Sequence, residues 1–198
     1  MEKQQRNRHS RNILVTGLPG IGKSTLIERI VSGIQRPMTG FFTREIREKW
    51  KRVGFSITTL DGRKGILAHR EIMGHFRVGK YGVNVEDIDR VAVPSMIPAR
   101  LDVIVVIDEI GKMESFSALF RESLTRVLDS ENPVIGSIAL RGGGSFIEEV
   151  KVRKDVSLIE VTEKNRDELV NLIAKMFEYS RRPTAQNSSP ENSSATVA

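Results

Sequence analysis

A glycine-rich stretch near the amino terminus ends in a lysine followed by two hydroxyl residues. It reads GLPGIGKST, from Gly17 to Thr25, and fits the spacing G-x-x-x-x-G-K-[ST]. Glycines let backbone N–H groups converge on one point, because side chains would block a close approach. Such amides, together with the positive end of a following helix, attract an anion. The stretch therefore predicts a phosphate-binding loop.

Each residue of this loop has an expected place beside a nucleotide. Lys23 is long enough to reach the outer phosphates, and the Ser24 hydroxyl is a ligand for the Mg²⁺ that accompanies them. Nucleotide binding is also assigned to the other loop residues, which are Gly17, Leu18, Pro19, Gly20, Ile21, Gly22 and Thr25. The loop thus predicts a nucleoside triphosphate as ligand and Mg²⁺ as cofactor.

A second motif, VIVVIDEIG, runs from Val103 to Gly111. Asp108 ends the apolar run, a position that predicts a magnesium ligand, usually through water. Glu109 beside it is placed to accept a proton from a water aligned with the terminal phosphorus, which favours hydrolysis. Gly111 completes the spacing D-x-x-G, in which a glycine amide senses the terminal phosphate. Lys112 is a candidate to offset charge on the transferred phosphoryl group.

Weaker candidates follow in the middle of the chain. The residues around a predicted hairpin form a basic cluster, which is Arg44, Arg47, Lys49, Lys51 and Arg52. One of them could serve as an arginine finger, but a solvated strand rim is the favoured interpretation. Arg77, Lys80 and Tyr81 are candidates to contact the nucleoside, although Tyr81 is equally expected in the core. Trp50 is a weak candidate for stacking on nucleic acid.

The loop and the acidic motif need elements that position them. A short buried strand is predicted at Asn12–Thr16 and a helix at residues 23–34, whose apolar residues share one face. The glycine-rich loop therefore lies between a strand and a helix, which is the context that supports its function. The continuous apolar run at residues 101–107 predicts a central parallel strand that is covered on both faces.

The rest of the chain shows alternating strand and helix patterns. An antiparallel sheet of about three strands is predicted after the first helix, at residues 39–47, 53–59 and 64–68, with a tight turn at Asp61–Gly62. Residues 70–100 are less regular, with a short helix near 86–91 and a break at Pro94 and Pro98. Later elements are a helix over 116–128, a strand over 133–140, a flexible loop at 141–145, a strand over 156–161 and a helix over 164–179.

Composition limits the class of protein. The chain has 198 residues, 39% hydrophobic and 28% charged, which is typical of a soluble globular domain. It contains no cysteine, which excludes a disulfide framework, and its three histidines make a histidine zinc site unexpected. We expect one domain at residues 12–179, a flexible basic arm at 1–11 and a disordered tail at 180–198.

Charge and hydropathy indicate the compartment and the partners. The net charge of +6 favours an acidic partner, such as free phosphates or nucleic acid. The longest aliphatic run, residues 103–107, is far shorter than the roughly 20 residues that a bilayer requires. The first residues lack an apolar stretch of the signal-peptide type. We therefore expect a cytoplasmic protein with no membrane partner and, by default, a monomer, although its oligomeric state is open.

Six segments in this order resemble the small nucleoside-triphosphatase family first described from thermophiles, which includes the human cancer-related nucleoside-triphosphatase. They are GLPGIGKST, GFFTREIRE (40–48), RVGFSITTL (52–60), RVGKYGVNVE (77–86), VIDEIGKMESFS (106–117) and VTEKNRDEL (161–169). The resemblance covers about residues 12–179. LRGGGSF (140–146) departs from it, because the family tends to have a longer and often proline-containing link there.

The resemblance implies a fold and an activity. The fold is a RecA-related P-loop NTPase with three α/β layers, a mainly parallel central sheet and an inserted antiparallel hairpin region. The activity is magnesium-dependent hydrolysis of nucleoside triphosphates (ATP, GTP, CTP and UTP, with broad base selectivity) to diphosphate and phosphate. Lys23, Ser24, Asp108 and Glu109 occupy the family's motif positions.

Two other functions fit the same scaffold. One is a nucleotide or small-molecule kinase, in which the basic stretch from Lys151 to Lys154 would form a lid. The other is an RNA-associated regulatory NTPase, which the positive charge permits. Phosphate release without an acceptor distinguishes a hydrolase from a kinase, and stimulation by RNA with steep salt dependence would indicate the third function.

Overall fold

Nine strands make one sheet in the computed structural model, which describes residues 11–179. In chain order they are β1 (Asn12–Thr16), β2 (Met38–Glu48), β3 (Lys51–Thr59), β4 (Lys64–His69), β5 (Arg77–Val78), β6 (Tyr81–Val83), β7 (Ile104–Ile110), β8 (Val134–Ile138) and β9 (Val156–Glu160). Across the sheet the order is β5-β6-β4-β3-β2-β7-β8-β1-β9. Apart from Arg11, the predicted arm at 1–11 and the tail at 180–198 lie outside the described residues.

Helices cover both faces of this sheet. They are α1 (Lys23–Gly33), α2 (Val85–Asp87), α3 (Val93–Ser95), α4 (Ala118–Asp129), α5 (Ser145–Lys151) and α6 (Arg166–Tyr179), with a π-helical segment Ile88–Ala92 between α2 and α3 and a 3₁₀ turn Glu114–Phe116. Apolar residues of α1 and α6 pack on one face of the sheet. Those of the Ile88–Ala92 segment, α4 and α5 pack on the other. The predicted three-layer α/β fold is confirmed.

The parallel part of the sheet is β2-β7-β8-β1-β9. The central strands β1, β7 and β8 are buried on both faces and rich in branched aliphatic residues, whereas the edge strand β9 is only partly buried. The strand β1 lies between β8 and β9, and β8 lies between β1 and β7. The loop after β1 and the acidic end of β7 are therefore two strands apart, with the end of β8 between them.

The predicted inserted antiparallel hairpin region is confirmed, and its strands continue the central sheet. The first half of β2 pairs in parallel with β7, so that Phe42 lies opposite Asp108. Its second half pairs with β3, and β4, β6 and β5 continue in antiparallel order. The strand β2 is thus shared, because its 11 residues are long enough to leave the core and continue as a hairpin.

Several local elements differ from the sequence-based expectations. The acidic pair Asp108–Glu109 lies inside β7 rather than after it, since the strand continues to Ile110. The helix α5 and the short strands β5 and β6 were not predicted. Within residues 11–179, no helix combines the length and the apolar character needed to cross a membrane.

Candidate active site

The loop between β1 and α1 depends on its three glycines. Gly17, Gly20 and Gly22 all have positive φ, at 152°, 79° and 103°. A Cβ on Gly17 would lie 2.7 Å from the carbonyl oxygen of Val161, whereas one on Gly20 or Gly22 would meet no other atom within 4 Å. Backbone amides at these two positions are therefore open to a ligand. The first turn of α1 contains no acidic residue that would neutralise its positive end.

The Lys23 side chain folds back onto the backbone of this loop. Its Nζ atom donates to the carbonyl oxygens of Gly17 at 3.2 Å and Leu18 at 3.5 Å. A phosphate would offer a charged acceptor in place of these carbonyls, and charge-assisted hydrogen bonds are stronger than neutral ones. Lys23 therefore lies beside the loop, with its charge close to the loop backbone.

Asp108 is fully buried, and the two oxygens of its carboxyl differ. Its Oδ1 atom accepts a hydrogen bond of 2.5 Å from the Ser137 hydroxyl on β8. Its Oδ2 atom is buried and has no hydrogen-bond partner among the described residues. Burial raises the pKa of Asp108, while the nearby Ser137 and Ser24 hydroxyls and the charges of Arg44 and Lys23 oppose this shift.

The orphaned Oδ2 atom and the Ser24 hydroxyl suit a hard cation. Mg²⁺ prefers oxygen ligands and is usually held by one or two protein groups together with substrate phosphates. An unsatisfied buried carboxylate oxygen is costly unless it gains a partner. Asp108 and Ser24 are the residues that would hold the cation.

Glu109 is less buried than Asp108 and lines the pocket described below. Desolvation raises the pKa of Glu109, the Lys23 charge lowers it and the Asp108 charge raises it. The pairing of β7 with β8 is interrupted between Ile107 and Ile110, so neither acid is paired with a residue of β8 in the regular register. Such an irregularity changes the direction of side chains beside a site.

An open pocket of about 720 Å³ joins these groups. This volume falls in the range of small-molecule sites, roughly 300–1,000 Å³. The phosphate-binding loop forms one side of it, and other lining residues come from the middle of β2, the first half of β3 and the segment after β8. Its lining residues are Gly17, Leu18, Pro19, Gly20, Gly22, Lys23, Ser24, Thr25, Thr43, Arg44, Glu45, Arg52, Phe55, Glu109, Ala139, Leu140 and Arg141.

Four predicted site residues lie outside this lining, and one of them is the fully buried Asp108. Ile21 is half-buried and packs against the core under α1. The amide of Gly111 donates to Oε2 of the buried Glu114 at 3.1 Å, so this amide is already engaged. Lys112 is exposed just beyond β7 and lies outside the pocket lining.

The basic cluster divides into two groups. Arg44 and Arg52 line the pocket, whereas Arg47, Lys49 and Lys51 lie near the β2–β3 turn, outside it. The guanidinium of Arg44 pairs with Glu28 of α1 and lies 5.0 Å from the centre of the Phe42 ring. The guanidinium of Arg52 donates to Glu45 at 2.7 Å and to the Tyr81 hydroxyl at 3.1 Å.

The residues predicted to contact the nucleoside lie outside the pocket lining. Tyr81 is buried, and its hydroxyl bonds to Arg52. Arg77 and Lys80 are exposed and lie outside the pocket lining. Trp50 is 94% exposed at the β2–β3 turn, away from the pocket.

The sequence reasoning missed several site residues, among them Ser137, Glu114 and Arg141. Ser137 is adjacent to Asp108 only because β8 pairs with β7, a long-range relationship without a local signal. Glu114 lies four residues after Ile110, and its proximity to the site is shown only by the hydrogen bond that it accepts from the Gly111 amide. Arg141 had a signal that was not used, since a cation precedes three glycines in RGGGS.

Comparisons with known proteins agree with this geometry. A family model described as NTPase matches residues 12–174. The chain is 44% identical over 170 residues to the nucleoside-triphosphatase THEP1 of Thermotoga sp. (strain RQ2), which covers 85% of this chain and 97% of that protein. It is 34% identical over 189 residues to the human cancer-related nucleoside-triphosphatase, covering 87% of this chain and all of that protein.

Solved structures show the same similarity. The crystal structure of THEP1 from the hyperthermophile Aquifex aeolicus matches with a TM-score of 0.76 at 34% identity, covering 84% of this chain and 99% of the other. The solution structure of a human cancer-related nucleoside triphosphatase matches with a TM-score of 0.73 at 34% identity, covering 87% and 100%.

Proposed function

The chain belongs to the NTPase family that these nucleoside-triphosphatases represent, and from this premise we propose that it hydrolyses nucleoside triphosphates with Mg²⁺ as its cation and broad base selectivity. The observation that carries the proposal is the orphaned Oδ2 atom of Asp108, buried near Ser24 and Lys23. Buried polar atoms almost always have a hydrogen-bond partner or a ligand. A bound cation would supply the partner that this oxygen lacks.

Different side chains bind the phosphates, hold the cation and accept the proton during hydrolysis. The loop amides and Lys23 hold the β- and γ-phosphates, and Ser24 and Asp108 would hold the cation. Mg²⁺, when bound, offsets negative charge on the phosphate oxygens. Glu109 accepts a proton from a water whose oxygen forms a bond to the γ-phosphorus. The bond from that phosphorus to the bridging oxygen breaks, and the nucleoside diphosphate leaves with the electron pair.

The side chains that line the pocket support broad base selectivity. The pocket walls contain one aromatic ring, Phe55, and three arginines, of which Arg44 and Arg52 are paired with Glu28 and Glu45. A ring stacks on any base, since every base has a π-face. A site that selects one base needs hydrogen-bonding groups dedicated to its edge.

The test is phosphate release from ATP, GTP, CTP and UTP, each with Mg²⁺, with Ca²⁺ and with EDTA, and without an added acceptor. We expect release from all four with Mg²⁺ and loss of release in EDTA. Release from one base only would contradict broad selectivity, and release in EDTA would contradict the role of the cation. No release until an alcohol or a nucleoside monophosphate is added would identify a kinase instead.

A further inference from the structure

Three arginines line the nucleotide pocket, and they differ in what neutralises them. Arg44 pairs with Glu28, and Arg52 pairs with Glu45. Arg141 is exposed and forms no ion pair with any residue in the part of the chain that the structure describes. The charge of Arg141 is therefore available to an anion in the pocket without breaking an existing pair.

The sheet order places Arg141 at the same edge of the sheet as the phosphate-binding loop, and both line the pocket. It follows β8, the strand between β1, which precedes that loop, and β7, which carries Asp108 and Glu109. Four residues before it, Ser137 bonds to Asp108. Because the three strands are parallel, their carboxyl ends lie at one edge of the sheet, where ligands bind in open α/β folds.

The loop after Arg141 has a conformation that only glycine allows. Gly142 and Gly144 have φ of 80° and 85°, and a Cβ on Gly143 would overlap the Ile147 side chain of α5. At the other end, the Lys151 Nζ atom donates to the Leu140 carbonyl at 2.8 Å and to Glu148 at 2.9 Å. Lys151 thus anchors the base of the loop rather than forming a lid, and α5 fixes the point from which Arg141 extends.

We propose that Arg141 binds the γ-phosphate and is the residue that distinguishes nucleoside triphosphate from nucleoside diphosphate. The proposal rests on the function proposed above. The loop amides and Lys23 also contact the β-phosphate, which substrate and product share, so they support the binding of both. A second cation after β8 interacts mainly with the group that is present only in the substrate. Its contribution also grows as negative charge develops on the departing phosphoryl group.

The test is isothermal calorimetry with Mg²⁺ and either ADP or a non-hydrolysable ATP analogue, for the wild type and for Arg141→Gln. We expect the variant to bind the analogue about tenfold more weakly and ADP with unchanged affinity. We also expect its kcat to fall about 100-fold. Arg141→Lys should recover part of both effects, because it restores the charge without the planar fork.

Arg126→Gln is the matched control. It removes the same charge from the exposed face of α4, where Arg126 pairs with Glu122. An equal loss of affinity for ADP and the analogue in Arg141→Gln would overturn the proposal, as would unchanged affinity for both. A wild-type protein that binds neither ligand would instead refute the proposed function, so the two failures can be told apart.

Discussion

Ser137 on β8 donates a hydrogen bond of 2.5 Å to Oδ1 of Asp108 on β7, which fixes one oxygen of a fully buried carboxylate and leaves the other without a partner. The carboxyl group cannot rotate without losing this bond. The hydroxyl thus determines which oxygen is free for a cation, and a neighbouring strand helps to shape the metal site.

Replacing Ser137 by alanine should loosen that carboxylate. We expect the Mg²⁺ concentration for half-maximal phosphate release to rise about tenfold or more, because groups that orient metal ligands typically contribute this much to affinity. The measurement is a Mg²⁺ titration of turnover at saturating ATP. Ser32→Ala is the control, since this exposed hydroxyl bonds only to the carbonyl of Arg29 in its own helix. An unchanged Mg²⁺ requirement in Ser137→Ala would remove the orienting role.

Replacing Glu109 by glutamine should separate binding from chemistry. The amide keeps the size of the side chain but cannot accept a proton from water, so kcat should fall about 100-fold or more. Calorimetry should find nucleotide affinity within a few-fold of the wild type. Glu45→Gln tests another carboxylate in the same pocket, which pairs with Arg52 and Arg47. Similar turnover losses in both variants would argue against a specific base at Glu109.

Glu114 should make stability depend on pH. Burial raises the pKa of Glu114 from 4.5 to about 8, and the Glu109 and Asp108 charges add to this shift while the Gly111 amide opposes it. Between these two values the folded protein keeps a proton that the unfolded chain has released. The free energy of unfolding therefore falls as pH rises from about 4.5 to about 8.

The variant Glu114→Gln mimics the protonated acid and should lose most of this slope. Urea unfolding at pH 5 and pH 8 in EDTA measures the change in the free energy of unfolding between the two pH values. Each unit of pKa shift contributes about 1.4 kcal/mol to this free energy. The advantage of the variant over the wild type should grow to several kcal/mol at pH 8. Glu131→Gln, an exposed replacement, should keep the wild-type slope. A parallel slope in Glu114→Gln would show that this carboxyl is ionised when folded.

Two glycine-to-alanine changes should have opposite signs. Gly40 in β2 has φ of 122°, and a Cβ there would overlap the backbone of Val106 in β7, so Gly40→Ala should destabilise by about 2 kcal/mol or more. Gly33 ends α1 with open space around it, so Gly33→Ala should stabilise by about 0.5–1 kcal/mol. Thermal unfolding of both variants checks this, and a tolerated alanine at position 40 would contradict the close approach of β2 and β7.

Much of the fold was predictable because its signals are local. The glycines and the lysine of residues 17–25 predicted the loop, and the apolar run before Asp108 predicted the central strand. The place of β2 was not predictable in this way. Its alternation resembles that of a separate hairpin, and only its pairing with β7 shows that it belongs to the core.

The site was predictable to the extent that its residues are adjacent in sequence. Lys23, Ser24 and Glu109 lie in the pocket as expected. Gly111 and Lys112 were assigned by their distance from Asp108 along the chain, but β7 continues past the acids and separates them from the pocket. Arg141 comes from a third strand end, and the RGGGS sequence marks a loop there without indicating which strands lie beside it.

The register of β2 has a mechanical consequence. Because Phe42 lies opposite Asp108 in the ladder, the hairpin that walls the pocket cannot swing away without pulling on the strand that carries both acids. Opening the pocket on that side would therefore displace Asp108 and Glu109 together with the hairpin wall. Departure of the nucleoside diphosphate is therefore expected to leave the β2 wall of the pocket in place.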